Sequence, residues 1–246
     1  MSKGRPVLAD IAARGELLVG TAAIMPPLSM KSKSGAIIGL EADMARSMGE
    51  AMGVKTRFVV MPFADLLPAL ETGKVDMIIS GMTMTPARNM KVAFVGPYFV
   101  SGKGILTKTD NLLAKDPSKL NSPQTRIAVL AGSTSEELVK KELSQASVIP
   151  TPDYDTAINM VLNDQVGALV ADYPICVVAL LRHPGKNLLA VLSPLSYEPL
   201  GIALPASDPL LLNWVDNYLA YLAGSGMLDN MQEYWLNDPS WLAELP

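Results

Sequence analysis

Short apolar segments alternate with amphipathic segments along the chain, and this alternation restricts the fold more than any other feature. Its first copy predicts three strands and two helices, at residues 17–21, 39–52, 56–60, 64–72 and 77–80. A β-α-β-α-β order is typical of a largely parallel sheet with helices on its faces. The first hundred residues therefore predict an α/β unit.

The same pattern begins again near residue 126. The second copy predicts strands and helices at residues 126–130, 133–143, 155–162 and 168–171. Two further helices are predicted at residues 209–223 and 227–235. Two successive α/β units followed by a helical tail predict a chain of two lobes.

The first predicted helix carries a stripe of large apolar side chains. Leu40, Met44, Met48 and Met52 recur at every fourth position, and Gly53 is a suitable stop. A methionine stripe can form a pliable binding surface. Packing into the core is the stronger interpretation, because this spacing places the side chains on one face of a helix.

Composition excludes several classes of protein. The 246 residues suffice for one large domain or two modest ones, and the net charge of −4 argues against a nucleic-acid binder. One cysteine, Cys176, and one histidine, His183, exclude an internal disulfide and any metal centre of several cysteines or histidines. With 18% charged and 49% apolar residues, the chain is predicted to be soluble and globular, and no cofactor is expected.

No apolar export signal follows the polar residues 1–5. We therefore expect either a cytoplasmic protein or the mature form of an exported one. The longest apolar runs fall short of the roughly 20 residues that a membrane helix needs, so no direct membrane insertion is expected.

Groups suited to an anion follow several predicted strands, where open parallel sheets bind their ligands. Arg88 offers a planar guanidinium that can hold a carboxylate through two hydrogen bonds, and Thr83 offers a hydroxyl. Gly132, Ser133 and Thr134 begin a predicted helix, where free backbone N–H groups and the helix dipole favour an anion. These loops predict a site for a carboxylate.

Groups suited to a cation and to an apolar side chain follow other strands. Asp172 offers a carboxylate to an ammonium group, while Met25 and Phe63 offer apolar walls. Together with the anion-binding groups, they predict a site for a small zwitterion.

Each of these residues also has an ordinary interpretation. Arg88 alone is more often a surface arginine, and Asp172 alone is more often a cap before a turn. The segment Gly132-Ser-Thr134 alone is simply a helix start, and it lacks the lysine of a phosphate-binding P-loop. The convergence of all these groups on strand ends is what favours the functional interpretation.

Five segments resemble one known family. They are Asp10–Thr21, Pro26-Pro-Leu28, Gly39–Met44, Gly73–Arg88 and Val95–Tyr98. The most specific is Gly73–Arg88, which ends in Thr-Met-Thr-Pro-Ala-Arg. The chain is similar, over nearly its whole length, to the type II periplasmic solute-binding proteins of amino-acid ABC transporters (bacterial extracellular solute-binding protein family 3).

The resemblance implies an α/β fold of two Rossmann-like lobes, with mixed, mostly parallel sheets joined by two hinge strands. The chain is expected to cross between lobes near Ser101–Gly104 and again near Tyr197–Leu200. Residues 1–101 would then form the first part of lobe 1, residues 102–198 lobe 2, and residues 199–246 the return to lobe 1 with the C-terminal helices. The resemblance also implies an extracytoplasmic, monomeric receptor that serves an ABC transporter permease.

It further implies roles for the strand-end residues. Arg88 corresponds to the arginine that holds the ligand α-carboxylate, with Gly132-Ser-Thr134 helping from the second lobe. Gly81 and Thr83 correspond to positions where a carbonyl and a hydroxyl meet the α-ammonium, and Asp172 to the second-lobe aspartate that pairs with it.

The pocket for the ligand side chain departs from part of the family. Members that bind glutamine or basic amino acids carry an aspartate and an aromatic residue where this chain has Ala22 and Met25. Phe63 corresponds to an aromatic wall of the same pocket. An unpaired ammonium or amide buried there would cost about 1–3 kcal/mol. We therefore predict a neutral, apolar or weakly polar amino acid, or a close analogue, as the ligand.

Two other functions stay open. Cyclohexadienyl and arogenate dehydratases resemble these binding proteins, but their glutamate three residues after the second-lobe aspartate corresponds to Ile175. Glu198 is another acid, although a solvated loop residue is its more ordinary interpretation. Cys176 is predicted to be inert core and His183 a surface residue, so we expect no enzyme. The ligand-binding domain of a sensor or chemoreceptor is the other alternative.

Overall fold

The computed structural model describes residues 6–111, 113, 116–191 and 196–246. Residues 1–5, to which the expectation about an export signal refers, lie outside these ranges. The chain forms two compact units. The first contains the residues up to 61, residues 65–100 and residues 199–246, and the second contains residues 62–64 and 101–198.

The first seven strands include four that follow one another before the first crossover helix. The seven are β1 (Glu16–Thr21), β2 (Ile24–Met25), β3 (Ser29–Lys31), β4 (Ile37–Ile38), β5 (Lys55–Val60), β6 (Met77–Ile78) and β7 (Ala93–Ser101). The later strands are β8 (Lys103–Lys108), β9 (Arg126–Leu130), β10 (Ser147–Thr151), β11 (Ala168–Asp172), β12 (Leu188–Val191) and β13 (Glu198–Leu204).

Helices connect these strands and complete the chain. They are α1 (Val7–Arg14), α2 (Leu40–Met52), α3 (Leu66–Glu71), α4 (Pro86–Asn89), α5 (Thr134–Glu142), α6 (Tyr154–Leu162), α7 (Tyr173–Arg182), α8 (Pro209–Gly224) and α9 (Met227–Asn237). Short 3-10 turns occupy Phe63–Asp65, Pro117–Leu120 and Pro239–Glu244. Within the described ranges, no helix is both long and apolar enough to cross a membrane.

The first unit contains a five-stranded sheet in the order β5-β1-β6-β13-β7. Strand β1 pairs in parallel with β5 and β6, whereas β13 pairs antiparallel with β6. The three short strands β2, β3 and β4 form a separate antiparallel sheet. The parallel pairs follow from the helical crossovers α2 and α3.

The second unit repeats this mixed architecture with the order β10-β9-β11-β8-β12. Strand β9 pairs in parallel with β10 and β11, and β8 pairs antiparallel with β11 and β12. The predicted α/β fold with mixed sheets is therefore confirmed, although the sheets are partly parallel where mostly parallel ones were expected. The carboxyl ends of β9 and β11, which precede α5 and α7, carry the predicted functional residues of this unit other than Phe63.

Helix α2 confirms the core interpretation of its methionine stripe. Leu40, Met44 and Met48 are fully buried, while Met52 at the last turn is half-buried. Glycines in the left-handed half of backbone space bound the helix at both ends, with φ of +125° at Gly39 and +70° at Gly53.

The two glycines that bound α2 should differ sharply in their tolerance of alanine. A Cβ at Gly39 would overlap the carbonyl group of Leu28, 2.7 Å from its carbon atom, whereas a Cβ at Gly53 would meet no heavy atom within 4 Å. Both substitutions strain a positive φ, so Gly53→Ala is expected to lower the free energy of unfolding by about 1 kcal/mol. Gly39→Ala should lower it by at least about twice as much, because backbone must move. Urea denaturation of both variants measures the difference, and equal losses would contradict the packing described for Gly39.

Candidate functional site

Three predicted residues of the first unit, Ala22, Met25 and Gly81, lie close together at the ends of β1, β2 and β6. The backbone N–H of Ala22 donates to the Ser80 hydroxyl at 2.9 Å, which joins the loops after β1 and β6. Gly81 has a φ of +59°, and a Cβ there would overlap the Met25 sulfur. Ala22 and Met25 are 6% and 5% exposed. The apolar wall predicted from Ala22 and Met25 therefore adjoins Gly81.

A buried carboxyl that the sequence did not single out holds this loop. Glu41, in the first turn of α2, accepts hydrogen bonds on Oε1 from the Gly81 N–H at 2.6 Å and the Tyr98 hydroxyl at 2.5 Å. Its Oε2 has no hydrogen-bond partner among the described residues. Burial raises the pKa of Glu41, and contacts from Tyr98, Ser29 and Gly81 lower it by less. In the sequence, the signal for this buried carboxyl was an acidic residue on the apolar face of α2.

Arg88 is buried rather than exposed. It lies in α4, which Pro86 begins and the Thr85 hydroxyl caps by accepting from the Arg88 N–H. Only 7% of Arg88 is exposed, and its guanidinium donates to the Thr83 carbonyl at 2.9 Å. Thr83 in turn pairs antiparallel with Leu200. The alternative of a surface arginine is therefore wrong, since a cation removed from water is held at a defined place in the loop.

Asp172 ends β11, and its carboxylate binds a lysine of the neighbouring strand. The antiparallel register sets Lys103 opposite Asp172, and Lys103 Nζ lies 3.1 Å from both carboxylate oxygens. The Tyr154 hydroxyl donates to Oδ2 at 3.4 Å. Asp172 occupies the N-cap position of α7 but makes no side-chain cap bond. Its ordinary interpretation as a cap is wrong, and the sequence-based prediction did not anticipate Lys103 as its partner.

Glu198 completes a group of charges around Lys103. Its Oε2 lies 3.6 Å from Lys103 Nζ and accepts from the Thr134 hydroxyl at 2.9 Å, while Oε1 accepts from the Ser196 hydroxyl at 2.7 Å. Lys103 is 2% exposed, Asp172 4% and Glu198 5%. The expectation of a solvated loop residue is corrected, because Glu198 is the first residue of β13 and is buried. In the sequence, the signal for this cluster was Lys103, a lysine at the start of the largely apolar strand β8.

The neighbours of this cluster respond to its charges. Burial raises the pKa of Tyr154 well above its ordinary value, and the negative charges of Asp172 and Glu198 add to the effect. Burial, together with the negative charge of Asp172, raises the pKa of Cys176 to about 12, and the positive charge of Lys103 opposes this rise. Cys176 is fully buried in α7, which confirms its assignment as inert core. His183 follows that helix and is half-buried.

The loop before α5 is held by its own hydrogen bonds. The Ser133 hydroxyl accepts from the Glu136 N–H at 3.3 Å and donates to the Leu130 carbonyl at 2.7 Å. The Gly132 N–H donates to Glu136 Oε2 at 2.7 Å, and the Ser133 N–H donates to the Leu130 carbonyl at 3.2 Å. The expectation of free N–H groups at Gly132 and Ser133 is therefore corrected, because the Gly132 N–H binds the Glu136 carboxylate and the Ser133 N–H binds the Leu130 carbonyl.

The remaining predicted residue, Phe63, begins the 3-10 turn Phe63–Asp65 and is 8% exposed. No group of three or more His, Cys, Asp or Glu side chains in the described part of the chain is arranged to hold a metal ion. The chemistry present is thus that of a buried guanidinium in the first unit and buried carboxylates around a lysine in the second. Such groups bind charged organic ligands through hydrogen bonds.

Comparison with known sequences identifies one family over most of the chain. The sequence profile of the bacterial extracellular solute-binding proteins, family 3, matches residues 17–238. This span includes every residue of the candidate site.

Known proteins similar to this chain include binding proteins and an enzyme. The arginine-binding periplasmic protein of Mannheimia haemolytica is 27% identical, with 86% of this chain and 87% of that protein covered. The cyclohexadienyl dehydratase of Pseudomonas aeruginosa is 23% identical, with 90% and 83% covered. The crystal structure of the ancestral amino acid-binding protein AncCDT-1, a precursor of cyclohexadienyl dehydratase, matches with a TM-score of 0.85 and 37% identity, covering 94% of this chain and 99% of that one.

Replacing Glu41 by glutamine should reduce the pH dependence of stability. A folded-state pKa raised above 4.5 means that the folded protein binds this proton more tightly than the unfolded chain does. The stabilising contribution of Glu41 is therefore complete below about pH 4.5 and is lost as the pH rises through the folded-state pKa. Glutamine keeps an acceptor for Gly81 and Tyr98 and cannot ionise.

Urea denaturation of the parent protein and Glu41→Gln from about pH 4 to pH 8 measures this effect. The free energy of unfolding of the variant, relative to the parent, should increase as the pH rises. Glu50→Gln, which removes an exposed carboxylate from the same helix, is the matched control. A difference between Glu41→Gln and the parent that is constant over the whole range would contradict the assignment.

Proposed function

Because the chain belongs to the bacterial extracellular solute-binding proteins, family 3, we propose that it is a receptor that captures an amino acid or close analogue and delivers it to an ABC permease. The observation that carries the proposal is the buried guanidinium of Arg88, fixed by the loop that follows β6. The family relationship supports an extracytoplasmic, monomeric receptor.

Arg88 is proposed to bind the ligand α-carboxylate. Its planar fork matches a carboxylate, and the contact with the Thr83 carbonyl restricts the guanidinium before the ligand arrives. The loop Gly132–Thr134 supports the same charge through the positive end of the α5 dipole, and the hydrogen bonds of Ser133 and Glu136 fix the shape of the loop. The anion-binding contribution of this loop rests on its dipole and on Thr134.

The ligand α-ammonium is proposed to meet Gly81 and Thr83 of the first unit and Asp172 of the second. The Gly81 N–H already binds Glu41, which fixes the loop that carries the Gly81 carbonyl. Asp172 shares its carboxylate with Lys103, so its negative charge acts together with that of its neighbours. Hydrogen bonds to charged groups contribute more than neutral ones, which suits a site that selects amino acids.

The side-chain pocket is proposed to accept a neutral residue. Ala22, Met25 and Phe63 are each at least nine-tenths buried and carry no charge. A ligand ammonium or guanidinium placed against them would lose its hydration without gaining a partner. Methionine adapts its shape, so several apolar or weakly polar side chains fit this description.

The proposed mechanism is closure of two lobes about the crossings near residues 101–104 and 197–200. A ligand with partners in both lobes stabilises the form in which all of them contact it. That closed form is the one a permease would recognise.

Arg88→Ala should reduce the affinity for amino acids at least about 30-fold, because a bidentate charge-assisted contact contributes about 2–3 kcal/mol. Isothermal titration calorimetry with the tightest-binding amino acid measures the loss. Arg57→Ala is the matched control, since Arg57 lies in the same unit with its side chain 56% exposed. The free energy of unfolding of both variants shows whether the fold is intact. Unchanged affinity in a folded Arg88→Ala variant would refute the role.

A calorimetric panel tests the pocket. With L-alanine, L-leucine, L-methionine, L-glutamine, L-lysine and L-arginine, we expect a neutral amino acid to bind at least about tenfold more tightly than lysine or arginine. Native mass spectrometry of protein purified without refolding provides the independent check, because a co-purified ligand reveals its mass. Tightest binding of arginine, as the name of one relative suggests, would overturn the neutral-ligand proposal and leave the receptor proposal intact.

The dehydratase alternative receives one specific observation, the burial of Glu198 beside Lys103. Against it, Ile175 occupies the position expected for the general acid and has no proton to give. A coupled assay with prephenate and arogenate is expected to show no product. A sensor ligand-binding domain would bind the ligand with the same residues. It would differ only in the partner that recognises the ligand-bound form.

A further inference from the structure

We propose that Lys103, Asp172 and Glu198, here called the Lys103 cluster, act as one charged unit whose net charge sets the preference for a ligand with an ammonium group. In this cluster Lys103 neutralises Asp172, and Glu198 supplies the excess negative charge. The inference rests on the proposed amino-acid site and adds Glu198 and Lys103 to its specificity-determining residues.

The geometry joins the three side chains into one group. Lys103 Nζ lies 3.1 Å from each oxygen of Asp172 and 3.6 Å from Glu198 Oε2. All three residues are at most 5% exposed. One cation and two carboxylates give a formal charge of −1, and water screens it little at this depth.

Asp172 by itself is a poor source of attraction for a second ammonium. Both of its oxygens already face Lys103, and Oδ2 also accepts from Tyr154. The two charges also act in opposite directions on the neighbouring Cys176: burial raises the pKa of its thiol most, Asp172 raises it as well, and Lys103 lowers it. A ligand ammonium near Asp172 meets the same opposed charges, so the remaining attraction comes from Glu198.

Glu198 is directly linked to the proposed ligand-binding loop. The Thr134 hydroxyl donates to Glu198 Oε2 at 2.9 Å, and Ser196 holds the other oxygen at 2.7 Å. These contacts orient the carboxylate at the start of α5. Contacts with Thr134, Ser196 and Lys103 thus help to fix the position of Glu198, as expected for a preorganised charge.

The test compares two ligands that differ only in the ammonium group. The probes are the amino acid that binds most tightly in the calorimetric panel and its des-amino acid, which for L-leucine is 4-methylpentanoate. The des-amino acid is measured by competition against the amino acid. The readout is the affinity of the amino acid divided by that of the des-amino acid. A general disturbance of the site weakens the binding of both ligands equally and therefore does not change this ratio.

Glu198→Gln should lower this ratio about tenfold or more, because the net charge of the cluster rises from −1 to 0. The double variant Lys103→Met with Glu198→Gln returns the charge to −1 through Asp172 alone, and the ratio should return to within about threefold of the parent value. Glu198→Asp, which keeps the charge, should stay near the parent. Structural damage would accumulate in the double variant, whereas the proposed mechanism predicts that the two changes cancel.

Three results would overturn the inference: an unmoved ratio in Glu198→Gln, a further fall in the double variant, or an equal fall in Glu198→Asp and Glu198→Gln. Removal of a buried lysine can prevent folding. If the double variant does not fold, the contrast between Glu198→Gln and Glu198→Asp decides the question. Failure of the parent protein to bind any amino acid would instead refute the proposed function.

Discussion

The antiparallel register of β8 and β11 places Lys103 opposite Asp172, and the chemistry of the second unit depends on this pairing. A buried ion pair does little for stability, because the loss of hydration offsets most of the attraction between the charges. Two apolar side chains of similar size would pack there without that loss. The buried cluster of Lys103, Asp172 and Glu198 therefore adds little net stability, and this is one reason why we propose a role for it in binding.

Among the described residues of the first unit, the buried carboxyl of Glu41 is bound by neutral donors and not by a lysine. Glu41 faces no cation within hydrogen-bonding distance among the described residues, and its Oε1 takes two donors, the Gly81 N–H and the Tyr98 hydroxyl. Burial then favours the neutral form. A carboxyl held by neutral donors shapes a loop without adding a strong field, whereas the Lys103 cluster adds one. In our proposal, Glu41 therefore positions a loop, and the Lys103 cluster supplies charge.

Local sequence patterns predicted those helices and strands whose formation depends on neighbouring residues, such as a spacing of apolar side chains or a capping residue. The spacing of Leu40, Met44 and Met48 identified α2, and Ser133 marked the first turn of α5 as its N-cap. The antiparallel strands β2 to β4 escaped prediction because two or three residues carry no measurable periodicity. The long strand β7 was likewise not assigned from the sequence, because its buried and exposed residues do not alternate regularly.

In the candidate site, too, some residues could be predicted from local sequence and others could not. Arg88 and Asp172 could be selected from their residue types and strand-end positions. The partners Lys103 and Glu198 could not, because Lys103 is 69 residues from Asp172 in sequence and meets it only through strand register. Burial is also a property of the assembled sheet, so Glu198 looked like a solvated loop residue. Interactions between distant segments are what the sequence pattern leaves undetermined.

The charges assigned to the site argue for a zwitterion with a neutral side chain. Arg88 supplies one positive charge, and the Lys103 cluster has a formal charge of −1. In the proposed site the ligand carboxylate would contact Arg88 and the ligand ammonium would lie near the cluster, so a third charge on the ligand would need a partner of its own. Ala22, Met25 and Phe63 supply none. A relative that is 27% identical and binds arginine shares the family's architecture with this chain. Specificity follows from the few side chains that contact a ligand, and our proposal of a neutral ligand depends on Ala22, Met25 and Phe63 being those side chains.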